Sequence, residues 1–189
     1  MIRIALVGDI GSGKSFVANN FNYPVFNADI EVAKLYKKSR KTFNKLKKIL
    51  PKYFNSFPID KNEVSNAILS NSHNLKKIVK IVHLEIRKKL IIFLKKNKNK
   101  KIVVLDIPLF LENKINKKND VLVFIQSKKS DILKRLRKRK NFNYKIFNKF
   151  KKIQLPIDYK KRRAHFIIKN DFTKISVKVG INNILKQIL

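Results

Sequence analysis

The chain has 189 residues and a formal net charge of +34, from 46 Lys and Arg against 12 Asp and Glu. That length suits one α/β core with helical insertions and excludes two full domains, while a hydrophobic content of 44% excludes a disordered chain. The absence of cysteine rules out disulfides and thiolate metal sites, and apolar stretches such as Leu90–Leu94 are far too short to span a bilayer.

Lysines are spread along the whole length rather than gathered in a tail or block. Lys, Asn, Ile, Phe and Tyr are all encoded by A/T-rich codons, so the charge reads as compositional drift on a solvated surface. A nucleic-acid groove is the lesser reading, although such a surface still attracts small polyanions. The N-terminal run Met1–Val7 lacks the basic, long apolar and small-residue segments of a signal peptide. A soluble, cytoplasmic protein is expected.

Ile2–Val7 is apolar except for Arg3, as a buried parallel strand would be. A glycine-bearing loop, Gly8–Gly13, follows, and Lys14–Phe21 reads as a helix. Val25–Asn27 is a short second strand led in by Pro24. From Ala28 to Asn97 only helical signals occur. Phe43, Leu46, Ile49 and Leu50 recur near 3.6 residues. Asp60 is the expected N-cap of a further helix, with Glu63 completing a capping box. Leu75, Ile78, Val79, Val82, Ile86, Leu90 and Phe93 form one apolar stripe on a long helix.

Ile102–Leu105, ending at Asp106, and Val121–Ile125 are the next strands. Basic helical segments are expected over Ser130–Arg139 and Asn143–Arg163, and the helical spacing of Phe142, Tyr144, Phe147 and Phe150 reads as a packed face. Phe166–Ile168 is a last strand and Lys174–Leu189 a closing helix. Strands separated by helices imply right-handed crossovers and a parallel, five-stranded sheet between helical layers. The predicted organisation is a single domain: a core over residues 1–30, 100–129 and 164–189, a helical insertion over 31–99 and a helical lid over 130–163.

Gly8-Asp9-Ile10-Gly11-Ser12-Gly13-Lys14-Ser15 fits the phosphate-loop pattern G-x-x-x-x-G-K-[ST] in full. Glycines let the backbone curl so that successive N–H groups meet phosphate oxygens at a helix N-terminus. Lys14 supplies positive charge to the β- and γ-phosphates, and the Ser15 hydroxyl serves magnesium. Three of the chain's 4 glycines lie in this loop, and only Gly180 lies elsewhere. The N-K-x-D and D-x-x-G motifs of a switch GTPase are missing, and a short chain with a helical insert and an Arg-bearing segment looks like a small-molecule kinase, whose lid excludes water from the γ-phosphate.

Several further segments, in order, resemble the dephospho-coenzyme A kinase family. They are Asn27-Ala28-Asp29 against D-A-D, His83-Leu84-Glu85-Ile86-Arg87 against H-P-x-I-R, Asp106-Ile107-Pro108-Leu109-Phe110-Leu111-Glu112 against D-x-P-L-L-x-E, and Arg135 with Arg139 against R-(x)3-R. Gln154, Lys160, Ala164-His165-Phe166-Ile167-Ile168 and Asn170 match the family's Q…K…A-D-x-V-I-x-N ending. The likeness runs from Ile4 to about Asn170. Asn27, Leu84 and His165 depart from it, as do Asp9 in place of a usual Gly and Phe16 in place of a common Thr. Asp9 is expected to turn its carboxylate outward.

The resemblance implies a three-layer P-loop kinase with a helical substrate-binding insertion. It implies transfer of the ATP γ-phosphoryl group to the ribose 3′-hydroxyl of dephospho-coenzyme A, with Mg²⁺ as cofactor. Lys14, Asp29 and Arg139 are then catalytic, Asp29 orienting and deprotonating the hydroxyl. Gly11, Ser12, Gly13, Lys14, Ser15, Phe16, Arg135 and Asn170 hold ATP. His83 and Arg87 join Asp29 at the acceptor. Asp106 joins Ser15 at magnesium, directly or through water. ATP and dephospho-coenzyme A are the expected partners of a monomer, with neither membrane nor nucleic acid. Two alternatives stay open: another nucleotide or nucleoside kinase of the same superfamily, and a basic nucleic-acid-binding ATPase.

Overall fold

A computed structural model describes residues 1–138 and 142–189, with the backbone alone at Ser72. Two compact units emerge: Met1–Asn27 with Asn97–Phe142 and Lys151–Leu189, and Ala28–Lys96 with Asn143–Phe150.

The first unit is built on a five-stranded parallel sheet in the order β2-β3-β1-β4-β5. The strands are β1 (Ile2–Gly8), β2 (Val25–Asn27), β3 (Ile102–Asp106), β4 (Asp120–Gln126) and β5 (Phe166–Lys169). All five lie within a residue or two of the predicted runs, because two-sided burial in a parallel sheet demands unbroken apolar sequence. On one face, Ile4, Leu6, Ile102, Val104, Val123, Ile125 and Ile168 pack with Val17, Ala18 and Phe21 of α1 (Lys14–Asn19) and its end. Val177, Ile181 and Ile184 of α9 (Lys174–Ile188) complete that cluster. Across the sheet, α8 (Ile157–Arg163) lies against β1 and β4. β1 is central: the chain moves to one side for β2 and β3 and to the other for β4 and β5. That reversal opens a crevice at the C-terminal end of β1, where the glycine loop begins.

Arg3, the polar interruption in β1, stands in register with Asp120 at the start of β4. Its Nε lies 2.9 Å from Asp120 Oδ1, and NH2 donates to Oδ2 at 3.0 Å. The Lys117 N–H donates to the same Oδ2 at 2.8 Å. Burial nevertheless holds the Asp120 carboxyl above its ordinary range, opposed by the Lys117 hydrogen bond and the Arg3 charge. At the opposite edge His165, where the resemblance has Asp, closes the ladder with its ring: Leu122 N–H donates to His165 Nδ1 at 2.9 Å.

The second unit is helical: α2 (Ala28–Lys38), α3 (Arg40–Ile49), α4 (Lys61–Ser70) and α5 (Ser72–Lys96). The stripe on α5 is its spine, with Leu75, Ile78, Val82, Ile86 and Leu90 all buried. Each contributes roughly 1.5–3 kcal/mol relative to an exposed position. α2, α3 and α4 all pack on α5. Ion pairs Lys45–Glu85 (2.9 Å) and Lys89–Glu31 (3.1 Å) tie α3 and α2 to it at the rim.

α2 and α3 are separate because the Ser39 hydroxyl accepts from Thr42 N–H at 3.2 Å and starts a new helix. Asp60 caps α4 as expected, accepting from Asn62 N–H at 2.7 Å. Glu63 does not complete a capping box. Its Oε1 accepts from Asn55 N–H at 3.0 Å and Ser56 N–H at 3.3 Å, fastening the preceding loop instead. The basic stretch after residue 142 is also broken, into α7 (Tyr144–Lys152) and α8, where Pro156 starts the latter. The expected packed face on α7 is shallow: no α7 residue is fully buried and Tyr144 is 63% exposed. Among the described residues no helix is long and apolar enough to cross a membrane.

Removing Arg3 leaves a buried carboxylate without its guanidinium, so Arg3→Met should lower unfolding free energy by about 3–5 kcal/mol. Urea denaturation checks this, and a loss below about 1 kcal/mol would contradict the role given to the pair. On α5, burial, aided by the nearby Arg87 charge, holds the His83 imidazole below its ordinary value of 6.5. The unfolded state therefore binds the proton first, and stability falls as pH drops through about 6.5. Comparing urea midpoints at pH 7.5 and 5.5 should show a smaller decline in His83→Asn than in the parent; equal declines would exclude the effect.

Candidate active site

The glycine loop leaves β1 and turns directly into α1. Gly11 and Gly13 have φ of 83° and 87°, a backbone region open to glycine and strained for side chains. Space is equally restrictive. A Cβ on Gly11 would come within 2.9 Å of the Ile132 side chain on α6 (Lys129–Arg137). One on Gly13 would run into Asn170 Nδ2 and stand 2.9 Å from the Phe172 ring.

The loop is braced from the segments that follow β4 and β5. Ser12 O accepts from Ser127 Oγ at 2.9 Å and from Asn170 Nδ2 at 2.8 Å. Asn170 is buried, and its Oδ1 accepts from Phe172 N–H at 2.9 Å. Asn170, expected to hold ATP, also serves as a strut under the loop. Arg135 lies with its guanidinium 4.2 Å from the centre of the Phe172 ring. Gly11, Ser12, Gly13, Asn170 and Arg135 are therefore brought into one neighbourhood through Phe172 and α6. Phe16 sits in the first turns of α1, its side chain against the sheet cluster and its carbonyl accepting from Asn20 Nδ2 at 2.8 Å.

Lys14 folds back over its own loop: Nζ donates to Asp9 O at 2.7 Å and lies 3.4 Å from Gly8 O. Asp9 Oδ1 accepts from Ile10 N–H at 2.7 Å, so its carboxylate is engaged by the loop's own backbone. Ser15 is exposed at the start of α1. Gly8 and Lys14 line a small cavity together with Ile107, Leu109, Phe110, Glu112, Gln154 and Lys160. Leu109 holds a positive φ of 56° and Phe172 one of 68°, on two sides of the loop.

Asp106 ends β3 and is buried, in register with Asn27 of β2. Asn27 Nδ2 donates to Asp106 Oδ2 at 2.6 Å. An amide thus stands where the resemblance has a second carboxylate, and the strand ends carry a single carboxylate. Asp106 and the Ser15 hydroxyl would offer oxygen donors alone, which suits a hard cation. Among the described residues no group of three or more His, Cys, Asp or Glu could cage a metal alone. Magnesium fits such a set because it is bound through one or two carboxylates plus substrate phosphates.

In the helical unit Asp29 is the second residue of α2 and exposed, following β2 without an intervening loop. His83 and Arg87 lie one turn apart on α5, half-buried and exposed respectively. Arg139 lies outside the described residues. Sequence reasoning gave no site role to Glu112 or Lys160, whose side chains are only 9% and 3% exposed and whose charged ends meet at 2.6 Å. Lys160 is one of 46 basic residues, so charge alone could not single it out. The usable signal was the set of motif matches, which includes both Glu112, within the turn that follows β3, and Lys160.

The family model for dephospho-CoA kinase matches residues 2–175. A dephospho-CoA kinase from Wolbachia sp. subsp. Brugia malayi is 32% identical over 190 residues, covering 98% of this chain and 97% of that protein. A crystal structure from Thermus thermophilus superposes with a TM-score of 0.77 at 23% identity, over 100% of this chain and 98% of the other. A dephospho-CoA kinase from Campylobacter jejuni gives 0.63 at 21% identity, over 98% and 96%. The two structures agree on the fold, and the sequence matches carry the kinship: this chain belongs to the dephospho-CoA kinase family of ATP-dependent kinases.

Proposed function

We propose that the chain transfers the γ-phosphoryl group of ATP to the ribose 3′-hydroxyl of dephospho-coenzyme A, with the Gly8–Ser15 loop as the triphosphate cradle. The observation that carries this reading is the loop itself. Its glycines occupy backbone and space closed to other residues, its Ser12 carbonyl is tethered away by Ser127 and Asn170, and Lys14 is parked on backbone carbonyls. Charge-assisted contacts to phosphate oxygens are roughly twice as strong as neutral ones, which favours moving the Lys14 ammonium from these carbonyls onto a bound triphosphate.

Phosphoryl transfer passes through a loose transition state, so catalysis is mainly positioning and charge neutralisation. Backbone N–H groups from Gly11 to Phe16 receive the phosphates, and Lys14 neutralises the β- and γ-oxygens. Arg135 and Arg139 add charge from the segment 130–163, which acts as the lid. Asp29 orients the acceptor hydroxyl and takes its proton, and His83 with Arg87 binds the rest of the acceptor. The Ser15 hydroxyl and the Asp106 carboxylate, held by Asn27, would hold Mg²⁺, which supplies charge neutralisation across the phosphates when bound. Several residues around Asp106 are apolar and buried, Leu105 and Ile107 among them, which keeps that carboxylate from bulk solvent.

A coupled ADP-release assay with dephospho-coenzyme A and a panel of nucleoside monophosphates tests the acceptor. Turnover of the monophosphates alone would sink the assignment. Lys14→Ala should abolish transfer while leaving the urea midpoint near that of the parent, since the side chain is not part of the core. Asp29→Asn should lower kcat by about 10²-fold or more if Asp29 is the base. Parent-like turnover in that variant would remove Asp29 from the mechanism.

A further inference from the structure

Two ammonium groups border the cavity at the C-terminal end of β1, not one. Lys14 belongs to the phosphate loop, and Lys160 projects from α8 on the other side. Lys160 Nζ is 2.6 Å from Glu112 Oε1, and the same oxygen accepts from Leu155 N–H at 3.0 Å. With 3% and 9% of their side chains exposed, both partners are withdrawn from water. Gln154 adds an amide to the same wall.

As a simple brace this arrangement is poorly chosen. A buried ion pair gives little net stability, because desolvating two charges offsets most of their attraction, and apolar residues of similar volume often do as well or better. The location gives a different reason for the charge. The pair stands in the cavity that Gly8 and Lys14 line, and in no other part of the described protein is a lysine so deeply buried. The cavity is small, about 10 Å³ of free room or about one water molecule, and Lys14 and Lys160 both line it.

We infer that Lys160 is a second phosphate-directed cation of this active site, and that Glu112 is a positioning residue that holds its ammonium toward Lys14 until an anion arrives. The ligand class is the terminal phosphate of a nucleoside triphosphate, including the phosphoryl group in transit. Glu112 holds the Lys160 side chain in place through the 2.6 Å ion pair. An incoming phosphate oxygen then shares the ammonium, which has three N–H donors and needs only one for Glu112. Holding the cation ready means that no reorganisation is needed as charge develops, the condition under which such groups accelerate reactions most. The inference rests on the proposed reading of Gly8–Ser15 as the triphosphate cradle.

The test compares Lys160→Met, Glu112→Gln, the double variant Glu112→Gln/Lys160→Met, Lys160→Arg and Lys14→Ala in the full chain. For each, urea midpoint, kcat and KM are measured, with calorimetric affinity for Mg²⁺ with a non-hydrolysable ATP analogue and for ADP. Either single variant should lose stability, since it leaves one buried charge unpaired. The double variant should regain the parent's urea midpoint while kcat stays about 10²-fold down. Its affinity should fall more for the triphosphate analogue than for ADP. Lys160→Arg, which keeps the charge, should recover most of kcat.

Recovery of kcat together with stability in the double variant would make the pair structural and overturn the inference. An equal loss of affinity for triphosphate and diphosphate would overturn it as well. Lys14→Ala separates the two levels. If Lys14→Ala weakens triphosphate binding while the double variant does not, this inference fails alone. If Lys14→Ala binds the triphosphate as the parent does, the cradle reading fails and takes this inference with it.

Discussion

The carbonyl oxygen of Ser12 is held twice, by the hydroxyl of Ser127 at the end of β4 and by the amide of Asn170 at the end of β5. A carbonyl facing a phosphate would repel it, so a loop that binds phosphate must keep its oxygens engaged elsewhere. Both lone pairs of this oxygen are committed to groups on the sheet, and the loop cannot swing the carbonyl into the crevice without breaking two hydrogen bonds. The strand order makes this possible, because it sets β4 beside β1 and β5 next beyond β4. The left-handed turns at Gly11 and Gly13, the side chain of Asn170 against Gly13 and the packing of α6 on Gly11 all follow from that fixed point.

Most of the first unit was legible in the sequence because buried parallel strands leave a strong trace. Arg3 looked like a blemish on β1, yet its reason lay 117 residues away in Asp120, and no local pattern reports such a partner. Period-3.6 patterning found the helical region but not its joints. Ser39 divides it with a hydroxyl, and Glu63 serves a loop rather than a cap, because a glutamate near a helix start has several backbone donors within reach. The phosphate loop was explicit, being a local motif. A motif makes Asn170 a candidate site residue, but its place as a strut under Ser12 depends on distant segments meeting, which only the folded chain displays.

Charge works in opposite directions in this molecule. Lysine is so abundant that no single one stands out, and the two that border the β1 cavity differ from the rest only in burial and neighbours. Carboxylates are scarce, and they are informative for that reason. Glu31 and Glu85 bind lysines around α5, Glu63 secures a loop, and Glu112 reaches under α8. Asp106 is balanced by the Asn27 amide rather than by a second acid. That leaves the end of β3 with one negative charge in a strongly positive protein.

Leu109 and Phe172 bend the chain through the left-handed region although each carries a bulky side chain. Such a residue sits roughly 1–2 kcal/mol above its relaxed state, and it persists only where its surroundings overrule it. One borders the Lys14 cavity and the other presses on Gly13 and Arg135. The two flanks of the loop are therefore wound like springs against a rigid sheet. Glycine at either place would let the backbone relax and take away the side chain that shapes the pocket wall, so comfort and function pull these two positions in opposite directions.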